Sequence, residues 1–112
     1  MSYTTKAASE RVLRYIADHG PDNPVRAADV ERRCGVAGPL LRNIVSGARK
    51  RGLPIISSAK GYSWAETPEQ LEGTLKSLKR RVHNINEVII GLELAQQMMS
   101  RKIRREKVIA GR

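Results

Sequence analysis

The sequence predicts a mainly α-helical chain with one small β-hairpin, an α+β arrangement, followed by a long C-terminal helix of coiled-coil type. Three observations predict it. Residues 38–65, GPLLRNIVSGARKRGLPIISSAKGYSWA, read as a helix, a strand, a tight polar turn and a second strand. Two further helical patterns, separated by breaker residues, precede that stretch. After it, apolar residues recur with alternating spacings of four and three from Leu71 to Ile103, with no proline among them. Residues 1–66 are therefore assigned to a folded domain, 67–107 to a long oligomerisation helix and 108–112 to the end of a basic tail.

Residues 4–19, TTKAASERVLRYIADH, form the first predicted helix, capped by Thr5 or Thr4. Ala8, Val12, Leu13, Ile16 and Ala17 make its inward stripe, with Glu10, Arg11, Arg14 and Asp18 outside. His19 closes it, where a cation favours the helix dipole. Gly20-Pro21-Asp22-Asn23-Pro24 is a breaker cluster. Val25 is expected as a short strand that closes the sheet begun by the hairpin. Residues 27–34 make a short second helix whose Ala28, Val30 and Cys34 side faces in. Gly35-Val36-Ala37 is then a three-residue turn.

In the third helix, Pro39 sits in the first turn, where its missing N–H costs nothing. Leu41, Ile44, Val45 and Ala48 fall at helical spacing on one apolar face. Arg42, Asn43, Ser46, Arg49 and Lys50 lie mostly off it. Gly52 ends the helix. Leu53 to Ile56 is a short apolar strand, Ser57 to Gly61 is turn chemistry, and Tyr62-Ser63-Trp64 alternates as a returning strand. A short helix, a glycine-containing turn and a second helix is the helix-turn-helix pattern, in which the second helix is the reader.

Composition narrows the class. The net charge is +10 and the pI about 10.5, which points to a polyanionic partner, nucleic acid before anionic membrane. No apolar run approaches the ~20 residues of a membrane span, and MSYTTKAASER offers no signal-peptide core. A single Cys makes no intrachain disulfide, so a reducing cytoplasm is expected, with Cys34 a small buried hydrophobe. There is no Gly-rich phosphate loop, no paired carboxylates in a plausible cleft and no nucleophile beside a base, so catalysis is not expected. No cofactor is expected, and two His and one Cys on separate elements make no metal site. A core of ~65 residues with no Phe is small, and gains from oligomerisation.

Thr67-Pro68-Glu69-Gln70 is a capping box at the start of the last helix. Heptad a positions are Leu75, Val82, Ile89, Gln96 and Ile103; d positions are Leu71, Leu78, Ile85, Leu92 and Met99. β-Branched residues at a with Leu at d favour a parallel two-stranded coiled coil, and Gln96 would fix register at some cost in stability. A helix from 68 to 107 would be ~60 Å long, far more than a small domain can cover, so self-association is expected. The g and e positions lack a consistent charge code. Val88, Ile90, Leu94, Ala95 and Met98 widen the stripe between 88 and 99, so a tetramer or higher ring, or a protein partner on that region, is the alternative to a dimer. Gly91 could instead break the helix into a hairpin. His83, at a b position, is expected to be exposed. Residues 101–112, RKIRREKVIAGR, carry six basic and one acidic side chain, as a phosphate-binding arm or a solvated end.

From residue 8 to 66 the chain resembles the winged-helix DNA-binding domain of the biotin-operon-repressor type. The resemblance rests on RKRGLPIISSAKGYSWAE: a helix end, a Gly, an apolar strand, a Lys-Gly-Tyr wing turn and a returning strand. The chain is also similar to small winged-helix proteins of phages and prophages, where a Gly-Tyr wing precedes an E-T-P-E-x-L helix start. The resemblance implies that the third helix enters the major groove of double-stranded DNA and presents Pro39, Arg42, Asn43, Ser46 and Arg49. Arg reads guanine and Asn reads adenine bidentately, which makes Arg42-Asn43 the base-reading pair. Lys50, Arg51 and Lys60 are phosphate contacts in this reading, and Arg26 joins the same basic set. Two departures weaken the match: Gly38-Pro39 replaces the usual polar helix start, and Gly47 stands in mid-helix. The repressor's ligase domain has no counterpart here, so its ligand-sensing chemistry is not inherited.

The function expected is a cytoplasmic, nucleoid-associated, dimeric transcriptional regulator. A parallel dimer would hold both readers at one end and demand an inverted-repeat site. An antiparallel one would hold them at opposite ends, suited to looping or bridging. The alternatives are a phage replication or packaging factor, whose long helix docks other proteins, and an adaptor that does not bind DNA.

Overall fold

A computed structural model describes residues 2–101 and Gly111. The chain is mainly helical with one antiparallel hairpin: α1 (Ser2–Ala17), α2 (Ala27–Cys34), α3 (Gly38–Lys50), β1 (Ile55–Ser58), β2 (Gly61–Trp64), a 3₁₀ turn (Pro68–Leu71) and α4 (Glu72–Ser100). It divides into two compact units; the first ends at Leu75 and the second starts at Lys76.

The first unit is built on an aliphatic core. Val12 and Ile16 of α1, Val30 and Cys34 of α2, and Leu41, Ile44, Val45 and Ala48 of α3 meet there, closed by Val25, Val36 and Ile55. The buried residues of α1, Ala8, Val12 and Ile16, repeat every fourth position, and Leu13 is partly covered. Two expected core positions are exposed instead. Ala17 is turned about 100° from Ile16, and Ala28 about 200° from Val30, and both face water. The helix also starts earlier than the sequence pattern suggests, so Thr4 and Thr5 lie inside it and not at its cap. It ends at Ala17, and His19 turns back to place Nδ1 2.8 Å from the Tyr15 carbonyl.

α2 and the turn after it match the sequence reading. Gly35 adopts a left-handed φ of 67°, and the Val36 N–H reaches back to the Glu31 carbonyl at 3.1 Å. This bond closes α2 and carries Val36 into the core. α3 ends in the same way at Gly52, where the Leu53 N–H donates to the Ala48 carbonyl at 3.1 Å.

The hairpin is longer than its apolar residues suggest. Ser57 and Ser58 pair with Tyr62 and Gly61, so only Ala59 and Lys60 form the turn. Val25 pairs with Tyr62 through reciprocal N–H···O bonds of 2.8 Å each, adding a one-residue third strand, as the pattern suggests. Gly61 is required for this: its φ is 127°, and a Cβ there would overlap the Val25 carbonyl oxygen.

The capping box forms. The Gln70 side-chain oxygen accepts the N–H groups of Thr67 at 3.1 Å and Glu66 at 2.6 Å. Its first turn winds as 3₁₀, and α4 proper starts at Glu72. Thr74, one turn on, is 6% exposed and bonded to Ser57 of β1.

α4 runs unbroken for 29 residues, ~43 Å, through Gly73 and Gly91, so Gly91 makes no hairpin. In the stretch between Lys76 and Ser100 the side chains of Leu78, Ala95 and Met98 are half-buried, and its other apolar residues are exposed, from 46% at Ile89 to 75% at Met99. His83 is exposed and lies 3.4 Å from Glu87 one turn on. No helix of the described residues is long and apolar enough to cross a membrane. Ile103 and most of the basic 101–112 tail lie outside the described residues.

Candidate nucleic-acid interface

α3 is amphipathic because its apolar residues recur at helical spacing, and burying that row turns the remainder outward. With Leu41, Ile44, Val45 and Ala48 buried, Pro39, Arg42, Asn43, Ser46 and Lys50 are exposed. These five are spaced at three, four, seven and eleven from the first, which is one face of a helix. Arg51 follows at the C-terminal end and is also exposed.

The hairpin supplies a second set. Lys60 occupies its two-residue turn, held by the Lys60 N–H donating to Ser58 Oγ at 3.2 Å. The backbone of Gly61 lies against Val25 and Arg26. Arg26 and Lys60 therefore flank the same Val25–Tyr62 pairing, although 34 residues separate them.

Internal partners sort the basic residues by duty. Arg11 Nε donates to the Cys34 carbonyl at 3.2 Å, tying α1 to α2. The Arg33 guanidinium lies 5.2 Å from the centre of the Tyr15 ring. Arg32 pairs with Asp29 at 2.7 Å. Arg49 differs from its expected role. It is half-buried, with Nε donating to the Ile55 carbonyl at 3.1 Å and Nη2 donating to Ser57 Oγ at 3.0 Å. It fastens the end of α3 to β1. By contrast, Arg26, Arg42, Lys50, Arg51 and Lys60 are exposed, and the side chain of none of them has an ion-pair or hydrogen-bond partner among the described residues. Residues 26–60 hold eight basic and two acidic side chains, and Asp29, one of the two, is taken by Arg32. The surplus positive charge faces solvent, where it attracts polyanions.

Two contributors had no sequence signal strong enough to single them out. Thr74 reads as an ordinary polar residue of a helix, and Ser57 as a turn residue, yet they are bonded to each other. Arg49 carried a signal, its charge on the outer side of α3, but the guanidinium folds back to the hairpin.

Cys34 is buried in the core as a free thiol. Burial pushes its pKa up, against the opposing pull of Arg11 and Arg33. The thiol form is therefore favoured, which suits a core residue and not a nucleophile. No group of three or more His, Cys, Asp or Glu residues suited to a metal ion occurs among the described residues.

The self-association residues divide by position. Leu71 lies half-buried in the 3₁₀ turn. Leu78 is half-buried, and Leu75, Val82, Ile85, Ile89, Leu92, Gln96 and Met99 are exposed on α4. Val88, Ile90 and Leu94, outside the seam, are exposed as well.

No family model, curated protein or solved structure matches this chain.

Proposed function

We propose that the chain is a double-stranded DNA-binding protein of the winged helix-turn-helix kind, a transcriptional regulator acting in the cytoplasm as a homodimer. One observation carries the reading. α3 turns Arg42, Asn43 and Ser46 outward on one face, and the cations around them have no partner among the described residues. In this reading α3 lies in the major groove, with Arg42 and Asn43 on base edges. Arg26, Lys50, Arg51 and Lys60 contact phosphates and position the reader without reading sequence. Arg49 positions the wing instead of reading bases. α4 pairs two copies along its exposed apolar stripe, so that two readers engage one site. No catalytic step belongs to this function.

The test is fluorescence anisotropy on a duplex that the protein selects. Replacing Arg42 and Asn43 by Ala should cost each bidentate contact about 1–3 kcal/mol, about thirtyfold or more in affinity for the pair, with the circular dichroism spectrum retained. Unchanged affinity would exclude α3 as the reader.

A second reading is a DNA-binding assembly factor of phage replication or packaging. The exposure of Val88, Ile90 and Leu94 beyond the two-stranded seam favours it. It requires a higher oligomer or a partner protein on residues 88–99, and light scattering that gives a strict dimer in solution counts against the higher oligomer.

A further inference from the structure

We propose that two copies of α4 pair antiparallel, centred on residue 87, with Lys79 of each chain facing Glu93 of the other. The inference rests on the self-association reading above and names its geometry. The occupant of the exposed apolar stripe is a second copy of this chain, and the argument is charge complementarity.

The charges on α4 are segregated along its length. Glu72 opens the helix, Lys76, Lys79, Arg80 and Arg81 follow within its first ten residues, and Glu87 and Glu93 lie further on. None of the four cations has an internal partner among the described residues. A parallel pair sets like against like: eight cations crowd one stretch of the coil and four carboxylates another. Its flanking g-to-e contacts would be Thr74 with the partner's Lys79, Arg81 with the partner's Asn86, Val88 with the partner's Glu93 and Ala95 with the partner's Ser100. None is an ion pair, and the third leaves a carboxylate on an apolar side chain.

An antiparallel pair changes the arithmetic of neighbours, because a then packs on d, e on e, and g on g. In the register centred on residue 87, Val82 packs on the partner's Leu92 and Ile85 on the partner's Ile89. At the flanks Lys79 meets the partner's Glu93 twice, once on each side of the two-fold axis. Val88 meets the partner's Val88 at the centre, so this exposed residue outside the seam gains an apolar contact. Shifting the register by one heptad towards the N-terminus sets Glu72 against the partner's Glu93, and shifting it the other way separates Lys79 from Glu93. Complementary flanking charge is what sets orientation in coiled coils. The register has two costs: Gln96 faces the partner's Leu78 in the layer next to the end, and Arg81 meets the partner's Ala95 at the flank.

The spacing follows from the helix rise. The two Leu75 positions lie ~36 Å apart along the coil axis, 24 residues at 1.5 Å each, where a parallel pair would hold them ~10 Å apart. Parallel and antiparallel pairs are both two-fold symmetric, which is what an inverted-repeat site requires of a dimer.

The test uses the full chain with Cys34, which is buried, left in place. Chains carrying Val82→Cys and Leu92→Cys are mixed, equilibrated and mildly oxidised, and the bridged peptides are identified by mass. The proposal expects the mixed 82–92 disulfide in large excess over the two symmetric ones. A dominant 92–92 disulfide overturns the orientation while leaving the dimer standing. A monomer in sedimentation equilibrium overturns the dimer reading itself. Charge exchange is an independent check on the unlabelled chain. Lys79→Glu and Glu93→Lys should each weaken the dimer about threefold to tenfold, and the double variant should return to within about twofold of the wild type. Absence of that rescue overturns the Lys79–Glu93 pairing.

Discussion

Ser57 and Thr74 hold one another by two hydrogen bonds: the Ser57 N–H donates to Thr74 Oγ1 at 3.2 Å, and the Thr74 hydroxyl donates back to the Ser57 carbonyl at 3.4 Å. The first turn of α4, Glu72 to Leu75, thus belongs to the same compact unit as the hairpin. Thr74 is buried and Ser57 exposed, so the hydroxyl stands where water would otherwise meet the strand edge.

Thr74→Val keeps the shape of the side chain and removes its hydroxyl. It should destabilise the chain by about 1 kcal/mol, since the exposed Ser57 groups can recover water. Thr74→Ser should retain most of the stability. Urea unfolding followed by Trp64 fluorescence measures both; equal midpoints for Thr74→Val and the wild type would show that the bonds contribute nothing.

Gly61→Ala tests the third strand. The added Cβ meets the Val25 carbonyl, and the φ of 127° is unfavourable for Ala. A loss of about 1–3 kcal/mol is expected. Hydrogen exchange should show the Val25 and Tyr62 amides losing protection first, because their reciprocal bonds are the ones displaced.

These two sites show what the sequence makes legible and what it hides. The bounds of α2, the helix ends at Gly35 and Gly52, the capping box and the Val25 strand were readable, because each rests on local chemistry: turn residues, caps and β-branching. The Thr74–Ser57 contact was not, because it joins residues 17 apart and neither one breaks a helical or strand pattern. The fold-back of Arg49 is hidden for a similar reason. Its place on α3 is outward, and only the length of the side chain brings its guanidinium to Ile55 and Ser57. Ala17 and Ala28 read as core in the sequence because Ala fits either environment, and only the rotation of the helix decides. Apart from Arg49, the outward face of α3 is legible from the spacing of the apolar residues that it does not contain.

Salt dependence tests the phosphate contacts. Each neutralised phosphate contributes about 0.9 to the slope of log affinity against log salt concentration. Lys60→Ala removes one contact from each copy of the dimer and should lower the magnitude of the slope by about 2. It should weaken binding by a similar factor on every duplex tested. A slope that stays at the wild-type value would remove Lys60 from the interface.

Truncation tests the need for two readers. A chain ending at Leu75 retains the Thr74 bonds and the whole first unit, and loses the rest of α4. It should be monomeric in sedimentation equilibrium and bind its site at least tenfold more weakly, since two tethered readers gain by effective concentration. A chain ending at residue 67 is a poorer comparison, because it also removes Thr74. Equal affinity of the Leu75 chain and the full chain would contradict the two-reader account.

The central claim is that the outer face of α3 reads the sequence of double-stranded DNA. The most direct measurement is selection from a randomised duplex pool with the full-length protein, run in parallel with Arg42→Ala. The account predicts enrichment of a short inverted repeat, with a guanine preference that disappears in the Arg42→Ala selection. A pool that emerges with no enriched sequence, or one that is the same for both proteins, would contradict it.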